Sequence, residues 1–166
     1  AFFIITLGVP IASFWYWWKR QGKESSSLFK MAIGVLIMGW GFLFMTAASM
    51  QYEAEGSSAM YWLVLAYLFH TIGELCASPV ALSFITKLAP LKYASLMMGV
   101  YFAATGVGNK LAGWIGEYSQ TAGEFEIFTG IAVFCTVIAL LVIALLKPLK
   151  RLTHGAEEIK QGTANE

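Results

Sequence analysis

Residues 60–85 read MYWLVLAYLFHTIGELCASPVALSFI, and this stretch decides the fold because it is apolar almost throughout. A membrane-spanning helix needs about 20 consecutive, mostly apolar residues. Barrel strands would instead alternate apolar and polar residues, which this stretch does not do. Because backbone polar groups in lipid must be satisfied within the segment, the stretch predicts a transmembrane helix.

Four further apolar runs have comparable length, at residues 1–18, 31–50, 94–115 and 127–146. The 166-residue chain is 58% hydrophobic and 13% charged, whereas soluble domains are about 45–50% apolar and about 25% charged. The sequence therefore predicts an all-α membrane protein with five transmembrane helices in a bundle over residues 1–148. The first run has no basic leader, so we expect the chain to begin inside a helix.

Basic residues are sorted to one side of the predicted helices. Ten of the eleven flank the same set of helix ends: Lys19, Arg20, Lys23, Lys30, Lys87, Lys92, Lys147, Lys150, Arg151 and Lys160. The two opposite connections contain only acidic charges: Glu53, Glu55, Glu117, Glu124 and Glu126. The positive-inside rule predicts that the basic side is cytoplasmic, with residues 149–166 as a cytoplasmic tail. A net charge of +1 gives no reason to expect a nucleic-acid partner.

Five helices that start outside and end inside match the last five helices of a major facilitator fold, helices 8–12. This is an analogy of fold and says little about the substrate. No metal-ligand spacing, phosphate-binding loop or nucleophile–base set is apparent, so we expect no enzyme activity and no metal site. Cys76 and Cys135 lie in apolar runs and are expected to be reduced thiols.

Polar residues cluster within residues 60–85. An ionised Glu74 near the middle of a span costs about 3 kcal/mol or more, so such a group usually faces a bundle interior or a watery cavity. Tyr67, His70, Thr71, Glu74 and Ser78 recur at spacings of three and four, which predicts one shared helix face that lines a pathway. The alternative is a structural cluster that only joins helices, with His70 bonded inside the core.

Pro79 interrupts the same predicted helix. It removes one backbone hydrogen bond and its ring meets the carbonyl of Leu75, which predicts a bend. A gating hinge and a static kink are both compatible with the sequence.

The run at 94–115 carries the second polar set. Tyr101, Thr105 and Asn109 recur every four residues and are predicted to line the same pathway. Lys110 is expected to snorkel outward or to form a local helix–helix bond rather than to act in transport. Four glycines are expected to give surfaces for close helix packing: Gly99, Gly106, Gly108 and Gly113.

These motifs carry a family resemblance. Gly-Glu at 73–74, Ser-Pro at 78–79, Leu-Ala-Pro at 88–90, Leu-Met-Met-Gly at 96–99 and Gly-Asn at 108–109 resemble the proton-coupled oligopeptide transporter (POT/PTR) family. The resemblance is strong over residues 70–113 and mainly hydropathic elsewhere. It implies that residues 1–148 are the C-terminal part of a twelve-helix transporter of the major facilitator superfamily.

The resemblance implies a site and a function. Glu74 matches the glutamate that meets the peptide amine, Ser78 lines the same site, and Tyr101 stands where many members have Trp. We expect proton-driven symport of di- and tripeptides in the cytoplasmic membrane, with protons as coupling ion and no other cofactor. Its partners would be peptides, lipid, the N-terminal bundle and helix seven. The alternatives are a carrier for another cationic small molecule and a non-transporting membrane scaffold.

Overall fold

The computed structural model describes residues 2–23 and 26–152, in which every regular element is helical. The elements are α1 (Phe2–Arg20), α2 (Ser27–Glu55), α3 (Met60–Leu88), a 3₁₀ turn (Leu91–Tyr93), α4 (Ala94–Ala122), α5 (Glu124–Ala144) and α6 (Leu146–Leu152). The predicted all-α class is confirmed for these residues.

Three of the helices, α2, α3 and α5, are long and apolar enough to cross a membrane. Helix α1 has 19 residues, about 28 Å at 1.5 Å per residue, but it ends in a run of Trp, Tyr and basic residues. Helix α4 is longer but carries Asn109, Lys110 and several glycines. Length and composition of the described residues therefore support three of the five predicted spans.

The helices extend past the apolar runs that predicted them. Helix α2 starts where Ser26 accepts a hydrogen bond from the Phe29 backbone N–H at 3.4 Å, and it ends where Gly56 takes a positive φ of 71°. Backbone hydrogen bonding continues where side chains turn polar, so the apolar runs underestimate helix length. Helix α6 covers the start of the predicted tail, and residues 153–166 lie outside the described residues.

Helix α2 is the centre of the packing, since it contacts both α3 and α5 along their lengths. A methyl group at Gly34 would lie 2.6 Å from the carbonyl oxygen of Gly73 on α3. One at Gly39 would lie 2.7 Å from Cβ of Cys135 on α5. The glycines of α2 thus let both neighbours approach to backbone distance, as small residues do in membrane helix pairs.

The glycines of α4 behave differently. No described atom lies within 4 Å of where a methyl group would stand on four of them: Gly99, Gly106, Gly108 and Gly113. The expected close packing of these glycines is therefore not formed by the residues that the structure describes. Most of α4 is exposed, so its small-residue surfaces are open.

Helix α1 is fixed to α3 by a buried aromatic residue. The indole Nε1 of Trp15 donates to Sγ of Cys76 at 3.4 Å, and Nζ of Lys30 lies 5.4 Å from the centroid of the Trp15 ring. Both cysteines are free, as predicted, with Cys76 buried and Cys135 half-buried.

Candidate functional site

Glu74 lies at the midpoint of α3, with fourteen residues between it and each end of the helix. That separation is about 21 Å along the axis at 1.5 Å per residue, whereas half of a bilayer core is about 15 Å. A glutamate side chain is too short to reach the interface from this depth. Glu74 is exposed, and no described residue pairs with it. Its carboxyl group is therefore open to ligands from outside the described helices.

Two neighbours share the open face with Glu74. Tyr67 is 60% exposed, and Ser78, one turn beyond Glu74, is half-buried. The hydroxyl of Thr71 donates to the backbone carbonyl of Tyr67 at 2.8 Å, so it is already bonded within its own helix. The open groups on this face are the carboxylate, a phenol and a serine hydroxyl.

The imidazole of His70 packs against α2. A methyl group at Gly41 of α2 would lie 2.8 Å from Cδ2 and 2.9 Å from Nε2 of His70. The imidazole also packs edge-on against Phe42, with ring centroids 4.6 Å apart. Its Nε2 is buried and has no hydrogen-bond partner among the described residues. The imidazole thus occupies the space that Gly41 leaves on α2, while Glu74, one turn further along α3, is exposed.

On α4, the three predicted pathway residues are exposed to different degrees. Tyr101 is half-buried, whereas Thr105 and Asn109 are exposed. The hydroxyl of Thr105 donates to the Tyr101 carbonyl at 3.0 Å. In the described part of the chain, no side-chain hydrogen bond joins these residues to Glu74. The polar side chains of α3 and α4 are therefore not joined into one hydrogen-bonded cluster within the described residues.

The structure also shows the surroundings of two other residues that the sequence analysis singled out, Lys110 and Pro79. Nζ of Lys110 lies 5.7 Å from the ring centroid of Trp114, one turn further along α4, which is a local contact rather than a bond to another helix. Pro79 is exposed, and α3 continues through it as an α-helix. The described residues contain no group of three or more potential metal ligands.

The fold and the site together define a helical membrane protein with an unpaired acidic side chain at the midpoint of a helix long and apolar enough to span the membrane. The family model of the POT family matches residues 1–128, so the chain belongs to the POT family.

Two of its relatives are peptide transporters by name. The chain is 31% identical to the peptide transporter YePEPT of Yersinia enterocolitica subsp. palearctica, over 95% of this chain and 32% of that protein. It is 29% identical to the di-/tripeptide transporter of Lactococcus lactis subsp. cremoris, over 82% of this chain and 27% of that protein. The chain thus spans about a third of the length of these curated relatives.

A solved structure agrees with the fold. A crystal structure of a variant of the peptide transporter POT, in complex with sulfate, matches with a TM-score of 0.80 and 28% identity. The match covers 91% of this chain and 30% of the transporter chain.

Proposed function

We propose that this chain is the C-terminal part of a proton-driven symporter of di- and tripeptides in the cytoplasmic membrane. Its first five helices would be helices 8–12 of a major facilitator fold, and the N-terminal bundle with helix seven would cover the open faces of α3 and α4. Membership of the POT family and the names of the relatives support this proposal.

The observation that carries the proposal is the exposed, unpaired Glu74 at the centre of α3. A carboxylate at that depth is stabilised by a counter-charge, and the amino end of a peptide is an ammonium. In our proposal Glu74 binds this ammonium, Ser78 adds a hydroxyl one turn away, and Tyr101 gives an aromatic wall. Thr105 and Asn109 would line the pathway, and Pro79 would be a hinge.

Protons would act as the coupling ion at groups outside this chain, because competition at Glu74 alone would give exchange rather than symport. A proton and a peptide ammonium cannot both occupy the Glu74 carboxylate, so binding of one opposes binding of the other. The coupling residues outside this chain would complete the cycle. His70, which packs on α2, fits a structural role better than a pathway role.

Substrate competition in proteoliposomes tests the function. The full-length protein, given an inward proton gradient, is expected to accumulate a labelled dipeptide. Unlabelled di- and tripeptides should compete for this uptake, while simple alkylamines without a peptide bond should not. Equal competition by the alkylamines would favour the carrier for other cations. Absence of any gradient-driven accumulation would favour the scaffold.

The charge sorting supports a cytoplasmic C-terminus, and labelling tests it. Ser26 is buried and caps α2, so a cysteine is better placed at exposed Gln21 on the basic side and at exposed Ser57 on the acidic side. An impermeant thiol reagent added outside cells should modify the cysteine at 57 and leave the one at 21 unmodified. The opposite pattern would reverse the proposed orientation.

A further inference from the structure

A cavity of about 530 Å³ opens at the end of the bundle that lacks lysine and arginine. It lies between the end of α2, the start of α3 and the start of α5. Binding cavities for small molecules measure about 300–1,000 Å³, so a ligand of dipeptide size fits. Three aromatic side chains from three different helices line it: Tyr52, Trp62 and Phe128.

Hydrogen bonds hold the wall at Trp62 in place. Oε1 of Gln51 accepts from the indole Nε1 of Trp62 at 2.9 Å and from the Ala59 backbone N–H at 3.1 Å. Nε2 of the same amide donates to Oε2 of Glu55 at 3.0 Å. One side chain of α2 thus fixes the connection to α3 and the orientation of the indole. A preorganised wall loses little entropy when a ligand binds.

The charged group in the cavity lining is Glu124, in the first turn of α5. No described Lys, Arg or His pairs with Glu124, and the connections at this end of the bundle carry glutamates without a basic residue. A carboxylate beside aromatic faces attracts a cation through both ion pairing and cation–π contact.

We propose that this cavity is a second binding site, which takes a primary ammonium attached to a short apolar group. Glu124 pairs with the ammonium, and Tyr52, Trp62 and Phe128 surround it. Two molecules carry this chemistry at a membrane surface: the amino end of a small peptide and the headgroup of phosphatidylethanolamine.

The site is separate from the one proposed at Glu74. Leu63, which lines the cavity, precedes Glu74 by eleven residues on α3, or about 16 Å along the helix. The inference therefore stands or falls independently of the proposed transport function.

Protection of an introduced cysteine from alkylation tests whether the cavity binds an ammonium ligand. Ser58 lines it and is exposed, so Ser58→Cys in the full-length protein gives a thiol that a polar maleimide can reach. The measurement is made in maltoside micelles, which contain no amine, and the protein without this cysteine corrects for reaction elsewhere. Dialanine, N-acetyl-dialanine, phosphatidylethanolamine and phosphatidylglycerol are added separately.

We expect dialanine, phosphatidylethanolamine or both to slow the alkylation of Cys at position 58, and neither amine-free compound to do so. Protection by dialanine would show that the cavity takes the amino end of a soluble peptide. Protection by phosphatidylethanolamine alone would show that it takes a lipid headgroup. Glu124→Gln should raise the half-protecting concentration about tenfold to a hundredfold, the range of one hydrogen bond to a charged group. Tyr52→Leu, which leaves the charge in place, should raise it severalfold.

Glu117→Gln removes a glutamate at the same end that does not line the cavity, and it should leave the protection unchanged. The proposal is overturned if no amine protects, if N-acetyl-dialanine protects equally, or if Glu124→Gln retains full protection. Protection that persists in Glu74→Gln would show that the cavity binds independently of the central carboxylate, and protection that disappears with Glu74→Gln would contradict a separate site.

Discussion

Glu74→Gln is expected to weaken the binding of a free-amine dipeptide by about 2 kcal/mol, roughly thirtyfold in Kd. The glutamine keeps the size of the side chain and removes the charge that would pair with the peptide ammonium. An N-acetylated dipeptide has no ammonium, so its weaker binding should change little. Isothermal titration of the full-length parent and variant with each ligand gives the ratio of dissociation constants for the free-amine and for the acetylated dipeptide.

Glu117→Gln is the matched control for this prediction. It removes one exposed carboxylate from α4 at the acidic end of the bundle, away from the centre of α3. Both ligands should bind this variant as they bind the parent protein. Equal losses for the two ligands in Glu74→Gln would mean that Glu74 supports the structure without recognising the amine.

Gly73→Ala should strongly destabilise the protein because α2 and α3 touch at backbone distance there. The added methyl group would lie 2.5 Å from the carbonyl oxygen of Gly34 and 2.9 Å from the backbone nitrogen of Met38. Neither backbone atom can move without shifting α2, so we expect a loss of about 2–3 kcal/mol, the upper part of the range for overpacked cores. The readout is the free energy of unfolding of the full-length protein in mixed micelles.

Gly130→Ala on α5 is the control for the glycine contact. It makes the same chemical change within a helix, but no described atom lies within 4 Å of the added methyl group. Its stability should stay the same or rise, since alanine favours a helix over glycine by up to about 1 kcal/mol. Similar stability of the two variants would refute the close crossing of α2 and α3.

Hydropathy predicted the helical class and the approximate helices, because the apolar requirement of a span is a property of local sequence. It did not predict the helix ends, since Ser26 and Gly56 terminate α2 outside its apolar run by local capping. It also counted α1 and α4 as equal to the others, although among the described helices α2, α3 and α5 are the ones long and apolar enough to cross a membrane.

The site was partly predictable for a similar reason. The spacing of Tyr67, Glu74 and Ser78 follows from helix periodicity. The direction of His70 does not, because it depends on the space that Gly41 leaves on another helix. The seven-residue interval between Gly34 and Gly41 was the available signal, since it places both glycines on one face of α2. The cavity at Glu124 joins the end of α2 and the start of α3 to the start of α5, which is distant in sequence, so no local sequence pattern predicts it.

The most direct test of the central claim is a structure of the full-length protein with a bound free-amine dipeptide. Our account predicts the peptide ammonium within about 3 Å of a Glu74 carboxylate oxygen, the distance of a charge-assisted hydrogen bond, with Ser78 and Tyr101 beside the ligand. A peptide whose ammonium pairs with another acidic group, while Glu74 contacts only protein or lipid, would contradict it.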